Sequence, residues 1–297
     1  MEINKLINEF CEYSTFIKGF SPCTIKRYRY CVDYYARSCG ITQIEEVTEL
    51  NIKQFFLNGR MVRKWSANSF ITILKSLVVF FRWCEKEKHM IGNPAVDMEI
   101  PKLEKRLPPK LTRQEASKLI EIAYNYPYQI KFAKHRNRAI MSVFLMAGLR
   151  KRELLNLKYT DVDIENRSVF VRLGKGNKDR VVPICDRLAD TLGKYLLERQ
   201  KAGKTCPELF TALNTNTGFT SDGLRRMMTT LTKVLGKNFG VHKLRHTFAT
   251  QMIEGGCDIF SLSKMMGHSD IKTTTIYLAA TSEHLRSQIS KHPLNKM

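Results

Sequence analysis

The chain has 297 residues, 43% of them hydrophobic, enough for two domains or one large one with real cores. It carries 49 Lys and Arg against 28 Asp and Glu, a net charge of +21, and a sequence pI near 9.7. Such an excess favours a polyanion, meaning nucleic acid or an anionic membrane surface. No stretch approaches the roughly 18 consecutive apolar residues of a membrane span. The start, MEINKLINEF, is acidic and polar, so a secretory signal is not expected and membrane binding is the weaker reading.

The eight cysteines are Cys11, Cys23, Cys31, Cys39, Cys84, Cys185, Cys206 and Cys257, with no C-x-x-C pair among them. They read as reduced cytosolic thiols packed as small hydrophobes, with no disulfide framework and no metal centre.

The first hundred residues read as four helices. Apolar periodicity runs from Ile3 to about Ile17. Ser21-Pro22 then sets an N-cap with proline at the first helical position, and Gly40 stops the helix it opens. That helix mixes Lys26, Arg27, Arg29 and Arg37 with Tyr28, Tyr30, Tyr34 and Tyr35. The cations can grip a phosphate backbone and the tyrosines can pack on sugars or bases. Equally, the tyrosines can be core and the cations a solvated face. A shorter helix runs from Thr48 through Phe56, and the longest from Ser66 to about Lys88, stopped by Gly92-Asn93-Pro94. Short connections suggest a small bundle.

Residues 99–110, EIPKLEKRLPPK, have a semi-rigid linker composition, and Lys105 and Arg106 make it basic enough to follow a phosphate backbone. The expected division is a helical DNA-binding domain over 1–98, the linker, and a second domain over 111–297. Residues 1–104 hold a charge surplus of +3 and residues 105–297 one of +18, so the second domain supplies most of the attraction for a polyanion.

The second domain opens with the capping box Thr112-Arg113-Gln114-Glu115 before a helix to about Ala123. A helix from about Arg136 through Met146 ends at Ala147-Gly148, and Leu149 to Leu154 starts another. The period then changes. Val162 and Ile164, then Val169, Phe170, Val171 and Leu173, then Val181, Val182 and Ile184 read as three short strands. Helices follow at about 187–199, 220–235, 242–254, 258–266 and 270–278. The fold class is mainly α with one small antiparallel β-sheet.

Several residues in this domain suit phosphate chemistry. Arg150 follows Gly148-Leu149, where backbone approaches closely; its fork matches phosphate oxygens, and Glu153 can hold the fork. The turn Gly174-Lys175-Gly176-Asn177-Lys178 lifts Lys175 on a hairpin tip, able to enter a groove and donate a proton. His242, Arg245 and His246 share one helix face. Zinc could use that spacing, but Lys243 stands where a metalloprotease has glutamate. His268 lies in Met266-Gly267-His268-Ser269, and Tyr277 follows near a helix end. A tyrosine of ordinary pKa near 10 attacks only with neighbouring cations or a proton acceptor.

Taken in order, G-L-R-x-x-E-L, G-K-G-x-x-x-R, H-x-L-R-H-T-F-A-T, G-H-S and I-Y resemble the tyrosine recombinase family, the phage-integrase and Xer-type site-specific DNA recombinases. The resemblance covers about 110–280, and the N-terminal bundle fits the core-binding domain of simple members. It implies that Arg150 and Arg245 clamp the phosphate with Glu153 as acidic support. Lys175 protonates the leaving 5′ oxygen, His242 and His268 flank the scissile phosphate, and Tyr277 is the nucleophile. His246 matches a recurrent position and is read as structural. Lys26, Arg27, Arg29, Lys105, Arg106 and Lys178 are expected DNA contacts. The resemblance further implies duplex DNA with inverted half-sites, a dimer on each site, a tetramer at synapsis, no metal or cofactor, and a cytoplasmic, nucleoid-associated enzyme. A terminal segment with Leu285, Ile289 and Leu294 would dock on a neighbouring subunit, although Leu278-Ala279-Ala280 replaces the threonine-histidine pair of many members. The alternatives are a type IB topoisomerase-like relaxing enzyme and a catalytically silent DNA-binding regulator.

Overall fold

A computed structural model describes residues 1–103, 109–172, 179–268 and 270–278. The chain forms two compact units, Met1–Lys105 and Arg106–Met297. The first contains α1 (Ile3–Phe16), α2 (Pro22–Cys39), α3 (Glu49–Met61) and α4 (Ala67–Lys86). The caps act as the residues suggest. Ser21, Thr48 and Ser66 each accept from a backbone amide three residues on, and Gly40 closes α2 at φ +68°. α3 runs past Phe56 to Met61 because its interior glycine serves packing: a Cβ on Gly59 would stand 2.2 Å from the Trp65 ring.

By length and a mean hydropathy of 1.3, α4 could cross a membrane, which a count of consecutive apolar residues does not register. Its apolar stripe is instead spent inside the unit. Leu77, Phe80 and Phe81 pack with Leu6, Phe10, Val32, Tyr35, Ile52 and Phe56. The tyrosines of α2 divide between the two readings. Tyr28 and Tyr35 are core, with the Tyr35 hydroxyl donating to Asn51 Oδ1 at 2.6 Å, whereas exposed Tyr30 stacks on Tyr34 at 5.9 Å.

The second unit is built on α5 (Arg113–Asn125) and α6 (Lys131–Met146). α6 packs on α5 and also on α8 (Asp186–Lys201) and α10 (Val241–Glu254), so its second half, residues 139–145, is buried all round while its first half is basic. It begins five residues before the expected Arg136, without a side-chain cap to announce the start. After α7 (Lys151–Asn156), strands β1 (Val162–Asp163), β2 (Ser168–Val171) and β3 (Arg180–Pro183) form an antiparallel sheet in that order. The register pairs Val162 with Val169 and Val169 with Val182, putting Val169, Val171 and Val182 inward while Val181 faces out. Ile164 and Ile184 fall outside the strands, and Leu173 lies outside the described residues. α9 (Ser221–Leu235), α11 (Ile259–Met266) and α12 (Lys272–Thr275) complete the unit, α12 being much shorter than the expected 270–278.

Candidate active site

The site is assembled around the C-terminal end of α11. The last carbonyls of a helix have no partner within it and carry the negative end of its dipole. Here three guanidiniums take them. Arg180 Nε donates to the Met265 carbonyl at 2.9 Å, Arg245 Nη2 to that of Met266 at 2.5 Å, and Arg150 Nη2 to that of Gly267 at 2.8 Å. Arg245 Nη1 also donates to the Gly148 carbonyl at 2.5 Å, tying α10 to the turn that presents Arg150.

Both turns need glycine. Gly148 and Gly267 stand at φ +62°, and a Cβ would meet Phe248 at 2.2 Å in the first case and the Arg180 guanidinium at 2.9 Å in the second.

Glu153 joins two of these cations. Its carboxylate accepts from Arg150 Nη1 at 2.8 Å, from the Arg150 amide at 2.7 Å, and from both terminal nitrogens of Arg180 at 2.9 Å. Burial opposes its ionisation, yet the Arg180 and Arg150 hydrogen bonds outweigh burial and hold its pKa at about 2. Arg245 is 6% exposed; burial first, then repulsion from Arg150, lowers its pKa to about 10, so it stays a cation at neutral pH. Its two carbonyl bonds use two of five N–H donors, leaving the fork able to meet an anion.

α10 places His242, Arg245 and His246 on one side of a cavity of about 310 Å3, with Arg150, His268, Thr273, Ile276 and Tyr277 around the rest. Tyr277 is 2% exposed and packs with Phe248, Ile253, Leu262 and Met266, so it is both a core ring and a cavity wall. Burial raises its pKa, with Arg245 pulling the other way. Its hydroxyl lies 2.8 Å from His246 Nδ1. The His246 pKa is lowered by burial, then by His242 and Arg245, which keeps the ring neutral and able to accept a proton. His268 Nδ1 is 2.7 Å from Thr274 Oγ1, which fixes that ring against buried Thr274.

Comparison with known proteins gives this geometry a family. Residues 109–284 match the phage integrase family, and residues 6–90 match the phage integrase N-terminal SAM-like domain. The chain belongs to the phage integrase family. Tyrosine recombinase XerC of Oceanobacillus iheyensis is 32% identical, over 98% of this chain and 97% of its own length. Tyrosine recombinase XerA of Thermococcus kodakarensis is 34% identical, over 99% and 97%. Among solved structures, a XerA recombinase matches at 30% identity and a TM-score of 0.55, over 97% of this chain and 98% of that one. XerH bound to a palindromic difH substrate matches at 0.74 over 96% and 83%, with 19% identity, which speaks to fold alone.

This Xer-like tyrosine recombinase is therefore a DNA-cleaving and -rejoining enzyme of site-specific recombination. The fold brings Arg150, Glu153, His242, Arg245, His268 and Tyr277 to one cleft. Lys175, Lys178, Lys105 and Arg106 lie outside the described residues, as does the terminal segment with Leu285, Ile289 and Leu294. Lys26, Arg27 and Arg29 are exposed on α2 of the first unit, with Arg29 donating to Asn8 Oδ1 at 2.7 Å. Two residues went unrecognised in the sequence. Arg180 ends the G-K-G-x-x-x-R motif, and its place there is the only signal in the sequence for the role it takes beside Glu153. His246, read as structural, instead meets the Tyr277 hydroxyl; nothing in the sequence marks that contact across 31 residues.

Proposed function

We propose that the enzyme cuts one DNA strand by attack of Tyr277 on a phosphodiester, leaving a 3′-phosphotyrosyl bond and a free 5′-hydroxyl. The Tyr277 oxygen–phosphorus bond forms as the phosphorus–O5′ bond breaks. The tyrosyl proton passes to neutral His246, and the departing O5′ takes one from Lys175. Arg150 and Arg245 meet the charge that develops on the non-bridging oxygens, with His242 and His268 beside them. Glu153 and Arg180 hold Arg150 in place. Because the ester keeps the energy of the diester, a 5′-hydroxyl from another strand reseals it without ATP. Guanidinium and imidazole donors do the electrostatic work, and no metal ion is assigned a part.

The observation that carries this reading is the Tyr277 hydroxyl 2.8 Å from a neutral imidazole, in a cavity walled by two arginines. On the scale of the whole reaction, two protomers bind inverted half-sites. Two such dimers then pair, and strands exchange through a four-way junction. In this reading residues 1–98 and the linker 99–110 hold DNA through Lys26, Arg27, Arg29, Lys105 and Arg106, and 111–297 carries the chemistry with Lys178 beside the helix. The enzyme works in the cytoplasm on the nucleoid.

A nicked suicide duplex, which traps the covalent intermediate by losing the short 5′ strand, tests the chemistry. Wild type should give an SDS-resistant protein–DNA adduct in EDTA, and Tyr277→Phe none. An adduct kept by Tyr277→Phe, or abolished by EDTA, sinks the mechanism.

A further inference from the structure

A second buried cation lies outside the catalytic cleft. Arg136, on α6, is 4% exposed. Its Nε and Nη2 donate to Asn137 Oδ1, each at 3.0 Å, and its Nη1 donates to the Thr211 carbonyl at 2.9 Å. The Phe219 ring covers it, with the ring centre 4.3 Å from Cζ. Both acceptors are neutral, and among the described residues no carboxylate forms an ion pair with it. Contrast Glu153, where every buried charge in contact has its opposite. Burial pulls the Arg136 pKa down to about 10, which still leaves a full charge at neutral pH. A buried charge without a counter-charge is costly; Arg199 is another outside the cleft, but its guanidinium is taken up by the carbonyls of Lys204, Cys206 and Glu208, whereas Arg136 opens on a cavity.

Arg136 lines a cavity of about 470 Å3, the size of a small-molecule site. Tyr126, Tyr128 and Phe219 supply aromatic wall, and Thr220, the N-cap of α9, stands at one end. Arg226, exposed on α9, brings a second guanidinium, and no Asp or Glu lines the space. None of these residues lines the catalytic cleft.

We propose that this cavity binds a small organic oxyanion, a carboxylate or phosphate monoester on a flat ring. The anionic head sits on Arg136 and Arg226 and the ring lies against the aromatic wall. The bound anion supplies the counter-charge that the fold leaves out. Two of the five Arg136 N–H donors remain beyond the three bonds above, which matches the two oxygens of a carboxylate edge.

The probe is para-fluorobenzoate, followed by fluorine NMR line broadening on the full chain, with neutral para-fluorobenzamide as its isostere. Saturable broadening is expected with the benzoate and none with the benzamide, and inorganic phosphate should reverse it. Arg226→Ala should weaken binding roughly tenfold, the scale of one charge-assisted pair. Thr230→Trp, which fills the cavity from its wall, keeps both guanidiniums and gives up only the Thr230 hydroxyl's bond to the Arg226 backbone carbonyl, should abolish binding. Arg150→Ala should leave it unchanged. The proposal fails if wild type shows no saturable broadening, or if the benzamide binds as well as the benzoate. It also fails if Arg150→Ala removes binding while Arg226→Ala and Thr230→Trp do not, because the anion then sits in the catalytic cleft.

Discussion

The two units of this chain treat charge in opposite ways. In Met1–Lys105 the interior is apolar and largely aromatic, and Lys26, Arg27 and Arg29 stay on the surface of α2. In the second unit Arg136, Arg199, Arg245 and Glu153 are each less than a tenth exposed, and Arg180 is nearly so. A surface cation attracts a phosphate backbone from any of many rotamers, at little cost and with little geometry. A buried one gives up hydration and must be paired or bonded, but it then points in one direction. The first arrangement suits holding a polyanion, and the second suits acting on one phosphorus atom.

Substitutions in the two regions should therefore fail differently. Arg245→Ala removes a fixed donor and two struts to backbone carbonyls; the rate of adduct formation on a suicide duplex should fall by roughly a hundredfold or more with DNA still bound. An unchanged rate would break the contrast. Arg180→Gln strips Glu153 of one of its two guanidiniums and orphans the Met265 carbonyl, costing about 3 kcal/mol in urea unfolding. The carboxyl of Glu153 titrates near 2 in the fold against an ordinary 4.5, so its stabilisation is full above about pH 4.5 and is lost as pH falls toward 2. The gap between wild type and Arg180→Gln should narrow across that same window.

His246 gives a smaller effect with a pH signature. Its folded pKa lies below the ordinary 6.5, so the unfolded chain takes up its proton first as pH falls. Stability should decline below about pH 6.5, and the acceptor for the Tyr277 proton should be lost only lower, as pH falls through the depressed folded pKa. His246→Phe should cut adduct formation roughly tenfold or more and remove the limb of the pH–rate profile that this group causes. Least of all, Arg27→Ala in the first unit should lower the salt dependence of DNA binding by about one phosphate contact while leaving cleavage of bound DNA intact. A loss of cleavage there would mean that surface cations also steer the chemistry.

Local features were legible in the sequence because they are local. The Ser21-Pro22 cap, the Thr112–Glu115 box, the short apolar strand runs at Val169–Val171 and Val181–Val182, and the Gly148 and Gly267 turns each announce themselves within a few residues. The set Arg150, Arg245, His268 and Tyr277 was legible as a family pattern, and the fold gathers it around one cavity. What escaped was contact across distance. Arg180 finds Glu153 27 residues away and Met265 85 residues away, and no periodicity records either meeting. The same holds for Arg136, read only as the start of a helix and found as a buried charge. α12 spans Lys272–Thr275 rather than 270–278, and no capping residue in the sequence marks that early end.

The carbonyls at the end of α11 carry a consequence for how a DNA-cutting enzyme is made safely. Arg150, Arg180 and Arg245 come from three separate stretches of chain, and all are anchored to Met265, Met266 and Gly267, which are synthesised after them. A nascent or half-folded molecule thus holds loose cations that can touch DNA but no anchored set that can cut it. Under the proposed mechanism breakage waits on completion, because each arginine has its own anchor among these three carbonyls, and Tyr277 leaves the ribosome after all of them.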